Sequence, residues 1–65
     1  MNTFTLHIVG NTIGRHAFKA GLSCTPMADR TLTEKMKVVS PSAQESLTKS
    51  WLEGWRSAEL DTSGW

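Results

Sequence analysis

The chain has 65 residues, 38% of them apolar, with one cysteine and a formal net charge of +1. This length allows one small domain, and domains so short bury only about 60% of the surface that their unfolded chains expose. The lone Cys24 excludes an internal disulfide and argues against a secreted, disulfide-stapled scaffold. His7, His16 and Cys24 fall at no zinc-ligand spacing, so neither a metal nor a cofactor is expected.

In "TFTLHIV", Phe4, Leu6 and Ile8 alternate with Thr3, Thr5 and His7, and the β-branched and aromatic content predicts a strand over residues 3–9. Gly10 and Asn11 break that pattern, and Asn11 or Thr12 can cap a helix over about residues 12–20. Its apolar stripe is Ile13, Ala17 and Ala20, with Phe18 beside it, and Gly21 is placed to end it. The segment "SCTPMADRTLTEK" is rich in turn residues, and "KMKVV" at 35–39 alternates again as a second short strand. A second helix, about 42–60, starts at a Ser42–Glu45 capping box, or two residues earlier at Ser40 before Pro41. The expectation is an α+β domain over residues 1–60: two packed helices with two short strands beside them, and a polar tail at 61–65 carrying Trp65. Two strands are marginal alone, so a homodimer that extends the sheet is also expected.

On the second helix Ala43, Leu47, Trp51, Gly54 and Ala58 share one arc, with Trp55 at its edge. Glycine inside a helix costs about 0.8–1.0 kcal/mol relative to alanine, so Gly54 implies a close approach. The small residues Ala17, Ala20 and Gly21 are the expected partner surface. Trp51 and Trp55 then fill the flanking gaps as core, or Trp55 stays open to stack on a base or anchor a partner.

The run "SWLEGWRSAEL", preceded by "GRHAFKAGL", resembles the ribosome modulation factor family. Those short, two-helix bacterial proteins have an alanine–glycine pair ending the first helix and a Trp-Leu-x-Gly-Trp-Arg-x-Ala signature in the second. The matching residues are Ala20 and Gly21, then Trp51, Leu52, Gly54, Trp55, Arg56 and Ala58. The resemblance covers about 20 residues of the chain. It implies a non-catalytic protein that binds the small ribosomal subunit near the messenger exit and promotes dimerised, inactive ribosomes. The same superfamily holds small phage and plasmid proteins, among them a group that phosphorylates fluoroquinolones. This chain departs from the family in its near-neutral charge, its longer inter-helix stretch, its expected first strand, and a cysteine–proline–aromatic element reduced to "CTPM" at 24–27.

Charge is unevenly spread: Arg15, Lys19, Arg30, Lys35 and Lys37 against Asp29 and Glu34 give the first 40 residues +3, and the remainder carries −2. Arg15 and Lys19, joined by Lys35 and Lys37, are the expected contacts to RNA phosphates, with Trp55 and Arg56 completing the binding set. "GNTIGRH" has a faint likeness to a phosphate-cradling loop but lacks the Gly-Lys-Ser/Thr ending of a P-loop and the third glycine of a dinucleotide fingerprint. Cys24 and His16 lack a third, orienting group, and no constellation supports an enzyme. No apolar run is long enough to span a bilayer, and the amino terminus lacks the basic start of a signal peptide, so a bacterial or phage-associated cytoplasmic protein is expected. The expected partner is the ribosome or its RNA. A single host protein, bound and inhibited, is the alternative, and a drug phosphotransferase is the third reading.

Overall fold

Residues 3–63 are described here from a computed structural model, and the first of them form a helix where the sequence predicts a strand. Helix α1 spans Thr3–Lys19. A strand would put Phe4, Leu6 and Ile8 on one face, yet Leu6 is 5% exposed whereas Phe4 and Ile8 are 73% and 48% exposed. The buried stripe of α1 is Leu6, Gly10, Gly14 and Ala17, which is helical spacing. Its threonines, isoleucines, valine and two glycines all disfavour a helix locally. Packing against a second helix outweighs that preference. The carboxyl end follows the sequence: Gly21 has φ +84°, its N–H donates to the Phe18 carbonyl at 3.0 Å, and that of Leu22 donates to Ala17 at 2.9 Å. This is a Schellman cap.

The chain then turns back through a 3₁₀ turn, Pro26–Ala28, into the short helix α2, Arg30–Met36. Asp29 caps α2, its Oδ1 accepting from the N–H groups of Thr31 at 2.9 Å and Leu32 at 3.4 Å. The strand expected at 35–39 is therefore also overturned. Lys35 and Met36 close α2, with Leu32 and Met36 one turn apart facing the core, and Lys37–Val39 form the turn that follows. With no strand among the described residues the fold is helical, and the α+β expectation falls. The sheet edge on which a homodimer was expected falls with it.

Helix α3 spans Pro41–Ser63. Of the two possible starts, the chain uses the earlier: Ser40 Oγ accepts from the Ala43 N–H at 3.4 Å, and Pro41 takes the first helical position, where a missing N–H costs nothing. Met1, Asn2, Gly64 and Trp65 lie outside the described residues, and the expectation for an exposed Trp65 lies there with them.

Contacts between α1 and α3 pair rising numbers with rising numbers: His7 meets Ser50, Phe18 meets Trp55, and Arg15 meets Asp61. The two long helices thus run in the same direction. The segment between them descends along α3 the other way, Leu22 meeting Trp55, Asp29 meeting Trp51, and Met36 meeting Thr48 and Gln44. Leu6, Ala17, Leu32, Leu47 and Trp51 make the core where α1, α2 and α3 converge.

The close approach implied by Gly54 is present, with different partners. A Cβ at Gly54 would overlap the Asn11 carbonyl, and one at Gly14 would overlap the carbonyl of Trp51. One at Gly10 would lie 2.7 Å from both the Leu47 carbonyl oxygen and Ser50 Cβ. The crossing is built on Gly10, Gly14 and Gly54, not on Ala20 and Gly21. A Cβ at Gly21 would meet nothing within 4 Å.

Candidate functional site

Trp51 and Trp55 sit one turn apart on α3 and differ in burial. Trp51 is 0% exposed, and its indole N–H donates to Asp29 Oδ2 at 2.7 Å, tying the start of α2 to the middle of α3. Trp55 is half-buried. Phe18 packs against it edge to face, with centroids 5.1 Å apart at 89°, and its indole N–H donates to the Leu22 carbonyl at 3.0 Å. The rest of the Trp55 surface lines an open pocket of about 440 Å³ with Cys24, Arg56, Glu59 and Leu60.

This pocket joins two of the residues expected to bind RNA or a partner, Trp55 and Arg56. The other four are separated. Arg15 and Lys19 are on the last turns of α1, at the same end of the molecule as Trp55. Arg15 is not free, because its guanidinium bonds Asp61 Oδ2 at 3.3 Å and Asn11 Oδ1 at 3.3 Å. Lys35 and Lys37 are at the far end of α2, where the Met36 carbonyl accepts from Gln44. Gln44 and Trp55 are eleven residues apart on one helix, or about 16 Å. Lys37 is also paired, with Glu34 at 3.3 Å. The single basic cluster expected from the sequence is therefore corrected, since it needed a strand at 35–39 lying beside the first helix. Among the described residues, Lys19, Arg30, Lys35 and Arg56 are in no ion pair within 4 Å.

Compared with protein-family models, with curated proteins and with solved structures, the chain matches none.

Two arrangements escaped the sequence reading. The Asp29–Trp51 bond joins residues 22 apart, and no local pattern announces it. Ser50 is buried at the helix crossing with its Oγ 3.1 Å from His7 Nδ1, and Glu53 Oε2 approaches that same nitrogen at 3.8 Å. A nucleophile–base relay needs the carboxylate on the opposite ring nitrogen and a nucleophile open to substrate. Here both partners share Nδ1, and the hydroxyl is enclosed. The "GNTIGRH" run is inside α1, so its amides are turned along the helix and form no phosphate-cradling loop. Cys24 and His16 line different cavities. Among the described residues no helix is long and apolar enough to cross a membrane.

Proposed function

We propose that this protein is a small non-catalytic regulator similar to ribosome modulation factor, binding the ribosome or its RNA in the cytoplasm to modulate translation. The observation that supports this reading is the open pocket beside Trp55. The Trp-Leu-x-Gly-Trp-Arg run divides there by role, Trp51 and Gly54 packing inward and Trp55 and Arg56 facing the pocket. An indole already held by Phe18 and Leu22 loses little freedom when a ligand covers it, and stacking a base on such a ring is worth about 1–3 kcal/mol. The Arg56 guanidinium is in no ion pair within 4 Å among the described residues, although Glu59 lines the same pocket, and can meet a phosphate.

Association with small ribosomal subunits, measured over roughly 50–300 mM salt, tests the reading. With Lys19 and Arg56 as the phosphate contacts, the logarithmic salt slope is expected near about −1.5. Reversing both to glutamate should flatten that slope and abolish association without loss of helicity. Absence of binding by the wild-type chain at the lowest salt would end the translation reading.

One observation favours a host-protein target instead. Phe4 and Ile8 lie one turn apart on the outward face of α1 and are exposed. If they anchor a protein, binding will depend weakly on salt and will be lost in Phe4→Asp and Ile8→Asp.

A further inference from the structure

A second cavity, of about 350 Å³, lies between the carboxyl half of α1 and the returning segment. Ile13, Ala17, Ala20 and Leu22 supply its apolar surface, and Thr12, His16, Asp29 and Thr31 its polar groups. The volume is at the lower end of the range for small-molecule sites, and an apolar wall with a few polar groups is their usual composition.

Asp29 decides what chemistry this cavity accepts. It is 5% exposed, and its carboxylate accepts from the Thr31 and Leu32 amides and from the Trp51 indole. A carboxylate offers about four lone-pair positions, so three donors leave one to spare. No lysine, arginine or histidine lies within 4 Å of it among the described residues. The two amides and the indole offset much of this buried charge, and with no cationic side chain beside it the remaining lone pair is open to a cation brought by a ligand. The same charge repels anions. A metal ion is a poor occupant, because no group of three His, Cys, Asp or Glu side chains converges among the described residues.

We infer that this cavity binds a small organic cation, an ammonium attached to one aromatic or compact apolar ring, with the ring on Ile13, Ala17, Ala20 and Leu22 and the charge directed to Asp29. The inference goes beyond the ribosome reading and does not depend on it, because the cavity is separate from the Trp55 pocket.

The probe is phenethylamine, titrated into the full chain and followed by heteronuclear NMR. The expected result is a Kd at or below about 1 mM, with shifts concentrated at Ile13, Ala17 and Ala20. The neutral 2-phenylethanol and the anionic 3-phenylpropanoate should bind about tenfold more weakly or worse. Asp29→Asn removes the charge and keeps one oxygen for the α2 cap, at the expense of the acceptor for the Trp51 indole, so the folded variant should lose the preference for the amine. Should that variant unfold, Ala20→Leu decides: Ala20 is exposed at the cavity wall, and a larger side chain there should block the probe while leaving the melting temperature unchanged. Equal binding of amine and alcohol overturns the inference. So does the absence of saturable shifts up to about 10 mM, or shifts that map elsewhere.

Discussion

At the scale of single residues, this protein is governed by side chains that are missing. Gly10, Gly14 and Gly54 stand where the backbone of one helix touches the other, and at Gly14 and Gly54 the obstructing atoms are backbone, which cannot swing aside. Gly14→Ala should therefore destabilise the fold by about 2 kcal/mol or more through overpacking, although alanine raises local helix propensity by about 1 kcal/mol. Urea denaturation gives the sign, and a variant more stable than wild type would disprove the close crossing. Asp29 is the second decisive residue. Asp29→Ala removes the α2 cap and leaves the Trp51 indole N–H buried without an acceptor, for an expected loss of about 2–4 kcal/mol. Gly54 at a crossing was legible in the sequence because it interrupts an apolar stripe. Its partners were not, because Gly10 resembles a strand terminator and Gly14, though inside the expected helix, lies off the stripe of Ile13, Ala17 and Ala20 until both glycines are seen on one helix face.

Among the elements, α1 depends most on its surroundings. A peptide of residues 1–22 should show little helicity by circular dichroism, since β-branched residues and glycines fill it and short helices are marginal even for good sequences. A strongly helical peptide would mean that local preference, not packing on α3, makes α1. The carboxyl cap of α1 is local in origin and behaves differently. Around Gly21 there is open space, so Gly21→Ala carries only the conformational cost of φ +84°, about 1 kcal/mol, measurable as a small fall in melting temperature. That end was readable because Gly21 acts through its own backbone, whereas the expected start of the first helix was too late and the start of α3 was left open between Ser40–Pro41 and Ser42–Glu45. The stretch at 35–39 was misread because five alternating residues fit a strand as well as a helix end, and only Leu32 and Met36 meeting the core distinguishes them.

For the whole molecule, all three helices meet at Trp51, so no helix is expected to unfold without the others. Tryptophan fluorescence and circular dichroism should give coincident urea transitions, and separated midpoints would mean that α2 melts on its own. The charges are also arranged at this scale. Arg15 and Asp61 are 46 residues apart and pair on the surface, where such bonds are worth about 0–1 kcal/mol. Their bond matters more for what it withdraws from binding than for stability. Of the candidate site, the Trp55–Arg56 pair was visible as a motif, but Lys35 and Lys37 were grouped with Arg15 and Lys19 through an expected strand beside the first helix, and α2 carries them to the other end instead.

The amino-acid sequence alone determined features that depend on a few neighbouring residues: the cap at Gly21 and the buried stripe through Leu47, Trp51 and Gly54, while it left the start of α3 open between Ser40–Pro41 and Ser42–Glu45. Tertiary structure decided whatever depends on a distant partner. Residues 3–9 satisfy a two-residue and a helical period almost equally, and the choice falls to helix only because α3 presents a surface narrow enough for Gly10 and Gly14 to seat against. The buried acceptor for Trp51, the bond that occupies Arg15 and the division of the basic residues between two ends follow in the same way, since each joins groups that chain order keeps apart.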